Sequence, residues 1–152
     1  MRCILHIGTE KTGSTSLQTA LSVNREHLSE RGIFYSKTAG TLNCRALAAA
    51  FCQFSSNDIY LGRLGIADET HHTAWCNNLL DEIREEVVTA QTGHDIFVLS
   101  SEHFSSRLVS EEQIASLKSL VLALFADIDV ACYLRRQDRM AVSRHNEVLR
   151  AG

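Results

Sequence analysis

Three short segments of this chain hold side chains suited to chemistry. The first, residues 8–16, combines Gly8 and Gly13 with five hydroxyl side chains and Lys11. Glycines let a ligand approach the backbone, and loop N–H groups beside a helix start attract an anion. Lys11 adds a point charge, and Thr12, Ser14, Thr15 and Ser16 add hydroxyl donors. The second, residues 133–145, carries Arg135 and, eight residues later, Ser143. Arginine presents a planar fork that matches phosphate oxygens. The third, residues 99–104, presents Glu102 and His103, two groups able to take a proton. A histidine titrates near neutrality unaided, whereas a carboxylate base needs burial to raise its pKa.

The elements that must position these groups follow from hydrophobic periodicity. Residues 3–7 read as a buried strand running into the first segment. Leu17, Ala20, Leu21 and Leu28 recur at helical spacing, and Arg31 with Gly32 marks the end of that helix. Residues 33–35 form a short strand and residues 45–54 an Ala/Leu-rich helix. A longer helix over 68–91 sets Trp75, Leu79, Leu80, Ile83 and Val87 on one side, with Gly93 as its C-terminal cap. Residues 95–100 are a second core strand, and Ser110 with Gln113 forms a capping box for a helix carrying Ile114, Leu117, Val121 and Leu124. Residues 128–134 are a third core strand, and 138–150 a last helix. Apolar strands separated by helices predict an α/β fold, a parallel sheet flanked by helices. Ligands of such sheets bind beyond the carboxyl ends of the strands, so the segments after Ile7, Ser100 and Leu134 are the ones that matter.

Composition narrows the class. The 152 residues suit one domain, and 45% hydrophobic against 22% charged residues exclude disorder. Fifteen basic and 18 acidic side chains leave a net charge of −3, which argues against general nucleic-acid binding. Proline is absent, which excludes Pro-rich linkers. No targeting segment and no apolar run of membrane-spanning length is present, and the five scattered cysteines read as reduced thiols of a cytoplasmic protein. His71, His72 and Cys76 are better explained as a polar helix start and a packed thiol than as metal ligands.

Gly8 and Gly13 have the spacing of a nucleotide P-loop, but Ser14 stands where that motif has its lysine, and no Asp suited to Mg²⁺ follows the second core strand. Lys11, Thr12, Gly13, Ser14, Thr15 and Ser16 instead resemble the 5′-phosphosulfate loop of sulfotransferases that use 3′-phosphoadenosine 5′-phosphosulfate (PAPS). Arg135 and Ser143 match the spacing of that family's 3′-phosphate pair, with Arg136 and Gln137 where Asn-Pro often stands, a variant similar to bacterial carbohydrate-type members. The resemblance implies a P-loop-like sulfotransferase fold spanning 1–152 as a single domain, incomplete at its C-terminus. It implies that Lys11 contacts the 5′-phosphate and the bridging oxygen, that residues 12–16 surround the phosphate, and that no metal is needed. The Ser-Ser-Glu run resembles bacterial relatives and favours Glu102 as general base, with His103 second; a bracing role for Glu102 stays open. Glu26, His27 and Glu30, near where other branches place a carboxylate, read as a solvated helix face. The expected acceptor is a hydroxyl of a small molecule, lipid or carbohydrate, with an oligomer or second chain completing the fold. The alternatives are a P-loop nucleotide kinase or NTPase and a non-catalytic nucleotide-binding remnant.

Overall fold

The structure, a computed structural model, describes residues 1–151; Gly152 lies outside them. The elements run β1 (Arg2–His6), α1 (Ser14–Val23), α2 (Arg25–Ser29), β2 (Ile33–Tyr35), α3 (Arg45–Ala50) and α4 (Ile59–Arg63). They continue with α5 (Glu69–Ala90), β3 (Ile96–Ser100), α6 (His103–Ser106), α7 (Glu111–Leu124), β4 (Asp127–Ala131) and α8 (Gln137–Ala151). The four strands form one parallel sheet in the order β2-β3-β1-β4. The expected α/β class with flanking helices is therefore present.

Strand chemistry explains the order. β3 is buried from Phe97 to Ser100, as a strand covered on both faces must be. Phe97 is fully buried, stacks on Phe34 and meets Phe125. β4 differs from the expected core strand: it lies at the sheet edge and is largely open. Its sequence alternates Asp127 and Asp129 with Ile128 and Val130, and Asp129 pairs with Arg2 of β1. Charged side chains are a common way to keep an edge strand from pairing further.

The longest helix, α5, buries Leu79, Ile83, Val87 and Ala90, the stripe that helical spacing predicts. Asp68 caps its start. Gly93 is not its cap, because the backbone there is not left-handed; the helix closes through Gln91, with Gly93 and His94 N–H both bonded to the Ala90 carbonyl. The first helix breaks at Asn24, whose side-chain amide donates to the Ala20 carbonyl at 2.8 Å. The expected helix over 45–54 ends at Ala50, and Asp58 then caps the short α4, which periodicity does not reveal. The capping box of Ser110 and Gln113 is present. Cys3 and Cys44 are core fillers, and burial pushes each thiol up to about 12.

Candidate functional site

β3, β1 and β4 are adjacent and parallel, so the loops that follow them emerge at one end of the sheet. This puts all three chemistry-bearing segments together. The loop after β1 needs unusual backbone: Gly8 has φ 97°, Lys11 φ 62° and Gly13 φ 94°. A side chain at Gly8 would also collide with the backbone of Glu102, its Cβ lying 2.8 Å from that Cα. Gly13 precedes α1 without a side-chain cap. Ser14 and Thr15 thus open a helix at which backbone N–H groups lack intrahelical carbonyls. Ser14 is buried, while Thr15 and Ser16 are exposed. The Thr12 hydroxyl donates back to the Thr9 carbonyl at 2.5 Å and so helps close the loop.

The segment after β4 is laced to this loop by backbone. Ile7 N–H donates to Ala131 at 2.9 Å, Tyr133 N–H to Gly8 at 2.7 Å, and Thr9 N–H to Tyr133 at 3.1 Å. The Arg135 guanidinium then donates to the Lys11 carbonyl at 2.8 Å, bringing residues 124 positions apart together. Arg135 and Ser143 line one cleft of about 300 Å³, which Arg139 and Asn146 share. Asp138 lines the same cleft and pairs with Arg136 at 3.0 Å. Arg144 on α8 reaches Glu10 at 3.3 Å. The Glu10 carboxyl sits below its usual range, first through the nearby Ser106 hydroxyl, although that contact falls short of a well-formed hydrogen bond, and then through Arg144.

The third segment divides. Glu102 turns toward α1, where Gln18 Nε2 donates to its Oε2 at 2.7 Å; Gln18 itself is buried. No bond joins Glu102 to Arg135 among the described residues. His103 opens α6 and faces a different cleft, bounded by α3, α4 and α6. Its Nδ1 is buried without a partner. Burial holds its pKa below the ordinary value, helped by Arg45 and Arg107 and opposed by Glu102. The imidazole is therefore neutral at neutral pH.

His6 was not singled out by the sequence. It ends β1 immediately before the phosphate-type loop, is 3% exposed, and shares a 2.8 Å hydrogen bond with Ser100 Oγ. Its ring packs 5.1 Å from Tyr133, and burial lowers its pKa. A histidine closing an apolar strand was the signal available. Arg139 was also missed, although it stands one helical turn before Ser143.

Other side chains are placed away from this end. His71 bonds Asp68 at 2.9 Å, whereas His72 is buried and stacks on Trp75, 3.5 Å from Cys76 Sγ. Glu26, His27 and Glu30 lie on an exposed helix surface. Among the described residues no group of three or more His, Cys, Asp or Glu side chains is placed to hold a metal, and no helix is long and apolar enough to cross a membrane. Comparison with family models, with curated proteins and with solved structures finds no match to this chain.

Proposed function

We propose that this chain binds PAPS across the loops after β1 and β4 and transfers its sulfuryl group to a hydroxyl acceptor, as a P-loop-like sulfotransferase. The observation that carries the reading is the 2.8 Å bond from Arg135 to the Lys11 carbonyl. It puts the two phosphate-type motifs side by side, as a donor with phosphates at two positions requires. The residues present fit such a ligand. The β1 loop offers N–H groups at a helix start with Lys11 beside them, and a separate cleft combines Arg135, Arg139 and Ser143. Ser14, at the P-loop lysine position, is buried, which weighs against the nucleoside triphosphate alternative.

In the reaction the acceptor oxygen bonds to sulfur, the bond from sulfur to the 5′-phosphate oxygen breaks, and the acceptor proton passes to a base. Lys11 stabilises the charge that grows on the leaving oxygen, an effect largest in the transition state. His103 is the better base of the two candidates, because its ring is neutral and lines an open cleft. Glu102, held by Gln18, supports the wall between that cleft and the β1 loop.

Calorimetry with 3′-phosphoadenosine 5′-phosphate tests the binding claim. Micromolar binding that needs no Mg²⁺ and weakens in Lys11→Ala and Arg135→Ala is expected. Tighter, Mg²⁺-dependent binding of ATP, or no binding at millimolar ligand, would overturn it. For turnover, His103→Asn should abolish sulfuryl transfer while leaving nucleotide affinity within twofold.

A further inference from the structure

The cleft that His103 lines has its own chemistry. It encloses about 430 Å³, within the range of small-molecule sites. Its wall includes Arg45, Tyr60, His103, Arg107, Asp58 and Gln113. Arg45 lies over the Tyr60 ring, 4.6 Å from its centroid, a stack that fixes the guanidinium and leaves its edge free to bind. Arg2, Arg84, Arg136 and Arg144 each have a carboxylate partner, whereas among the described residues Arg25, Arg31, Arg63, Arg135 and Arg139 form no ion pair. Neither Arg45 nor Arg107 has one among the described residues.

The one acidic side chain in the wall, Asp58, uses Oδ1 to accept the N–H groups of Tyr60 and Leu61 at 2.7 and 3.2 Å. The wall itself thus sets two cations against one engaged carboxylate, while Glu102, bonded to Gln18, and Glu10, paired with Arg144, also act on His103 from outside that wall. A positive cleft on an acidic molecule selects anions by Coulomb attraction and by the fork geometry of arginine.

We infer that this cleft is the acceptor subsite and that it selects hydroxyl compounds carrying a carboxylate or comparable anionic group, with Arg45 and Arg107 holding the charge and His103 facing the hydroxyl. The acceptor role rests on the sulfuryl-transfer reading. Selection of a charged ligand rests on the cleft alone. His103 lies near enough to Glu10 of the β1 loop for each charge to act on the other, which sets this cleft beside that loop. Gly8 packs on Glu102, the residue before His103, so the wall is thin at that point.

The test uses glucuronate and glucose as probes of similar size, one anionic and one neutral. Binding is followed by NMR through the His103 ring signals, in the full chain, with and without 3′-phosphoadenosine 5′-phosphate. Glucuronate should bind at least tenfold tighter than glucose and should raise the His103 pKa. Arg107→Ala, an exposed position that should not disturb folding, and Arg45→Gln should each weaken glucuronate tenfold and leave nucleotide affinity within twofold. Equal binding of the two sugars, or no binding of either while the nucleotide still binds, overturns the inference and spares the donor site. Loss of nucleotide binding overturns the acceptor role together with the reading it rests on.

Discussion

The two sides of the site are built by different means. The proposed phosphate side, at the ends of β1 and β4, is made of backbone: three residues with positive φ and a lattice of main-chain hydrogen bonds, with exposed arginines beside them. The proposed proton-handling side, around the end of β3, is made of side-chain pairs: buried Ser100 with His6 of β1, buried Gln18 of α1 with half-buried Glu102, and half-buried His103 with a sealed Nδ1. A backbone cradle can present N–H groups to any phosphate without titrating. A side-chain network can tune the proton affinity of single groups. Substitutions on the two sides should therefore fail in different ways.

The largest effect is expected at the seam. Gly8→Ala places a methyl 2.8 Å from the Glu102 Cα on backbone at φ 97°. Strain of left-handed backbone and overpacking together should cost about 2–4 kcal/mol, read from denaturant unfolding. A Cβ at Gly13 would meet no atom within 4 Å, so Gly13→Ala should cost only the strain of its φ, about 1 kcal/mol. Equal losses at the two positions would mean that the contact with Glu102 does not set the loop.

Next comes Arg135→Ala. Loss of charge-assisted hydrogen bonds worth about 1.5–3 kcal/mol should lower affinity for 3′-phosphoadenosine 5′-phosphate by about 10- to 100-fold. Arg136→Ala, which removes a largely exposed pairing with Asp138 at the edge of the cleft, should have the smaller effect of the two, less than threefold. The adjacent arginines are a sharp internal control, and calorimetry of the pair decides whether the cleft with Ser143 is the phosphate site.

How much of this was legible in the sequence depends on whether a feature is local. Apolar runs disclosed β1, β2 and β3, and the 3.6-residue stripe disclosed α5, because those signals sit within one element. Strand order does not, so β4 read as core although Asp127 and Asp129 already marked an edge. The early end of α3 and the small α4 depend on a cap at Asp58 within a polar stretch that has no periodicity. Lys11 and Arg135 were each legible from loop chemistry, but their pairing only through a resemblance, since nothing local joins two residues 124 positions apart. Arg45, Arg107 and His6 gain their surroundings from the packing of separate elements, which no spacing rule reports.

The two histidines predict a pH dependence of stability near neutrality. His6 and His103 both have pKa values held down by burial. The unfolded chain therefore binds protons more readily than the folded one. Stability is full above the ordinary histidine value of about 6.5 and falls as pH drops through it toward the folded values. Unfolding midpoints measured between pH 5 and 8 should rise and then level off, and His103→Asn should flatten part of the slope. A slope unchanged in both His103→Asn and His6→Asn would refute this origin.

The smallest effect is expected at an exposed ion pair that joins the β1 loop to α8. Arg144 meets Glu10 at 3.3 Å with the arginine largely exposed, and such pairs contribute about 0–1 kcal/mol. Arg144→Ala should therefore leave nucleotide affinity within threefold and stability within about 1 kcal/mol. The reason is that the β1 loop is already fixed by the bonds from Tyr133 to Gly8 and from Thr9 to Tyr133. A tenfold loss of affinity in Arg144→Ala would show that α8, and not the backbone lattice, sets the loop, and the contrast between a backbone-built and a side-chain-built half would no longer hold.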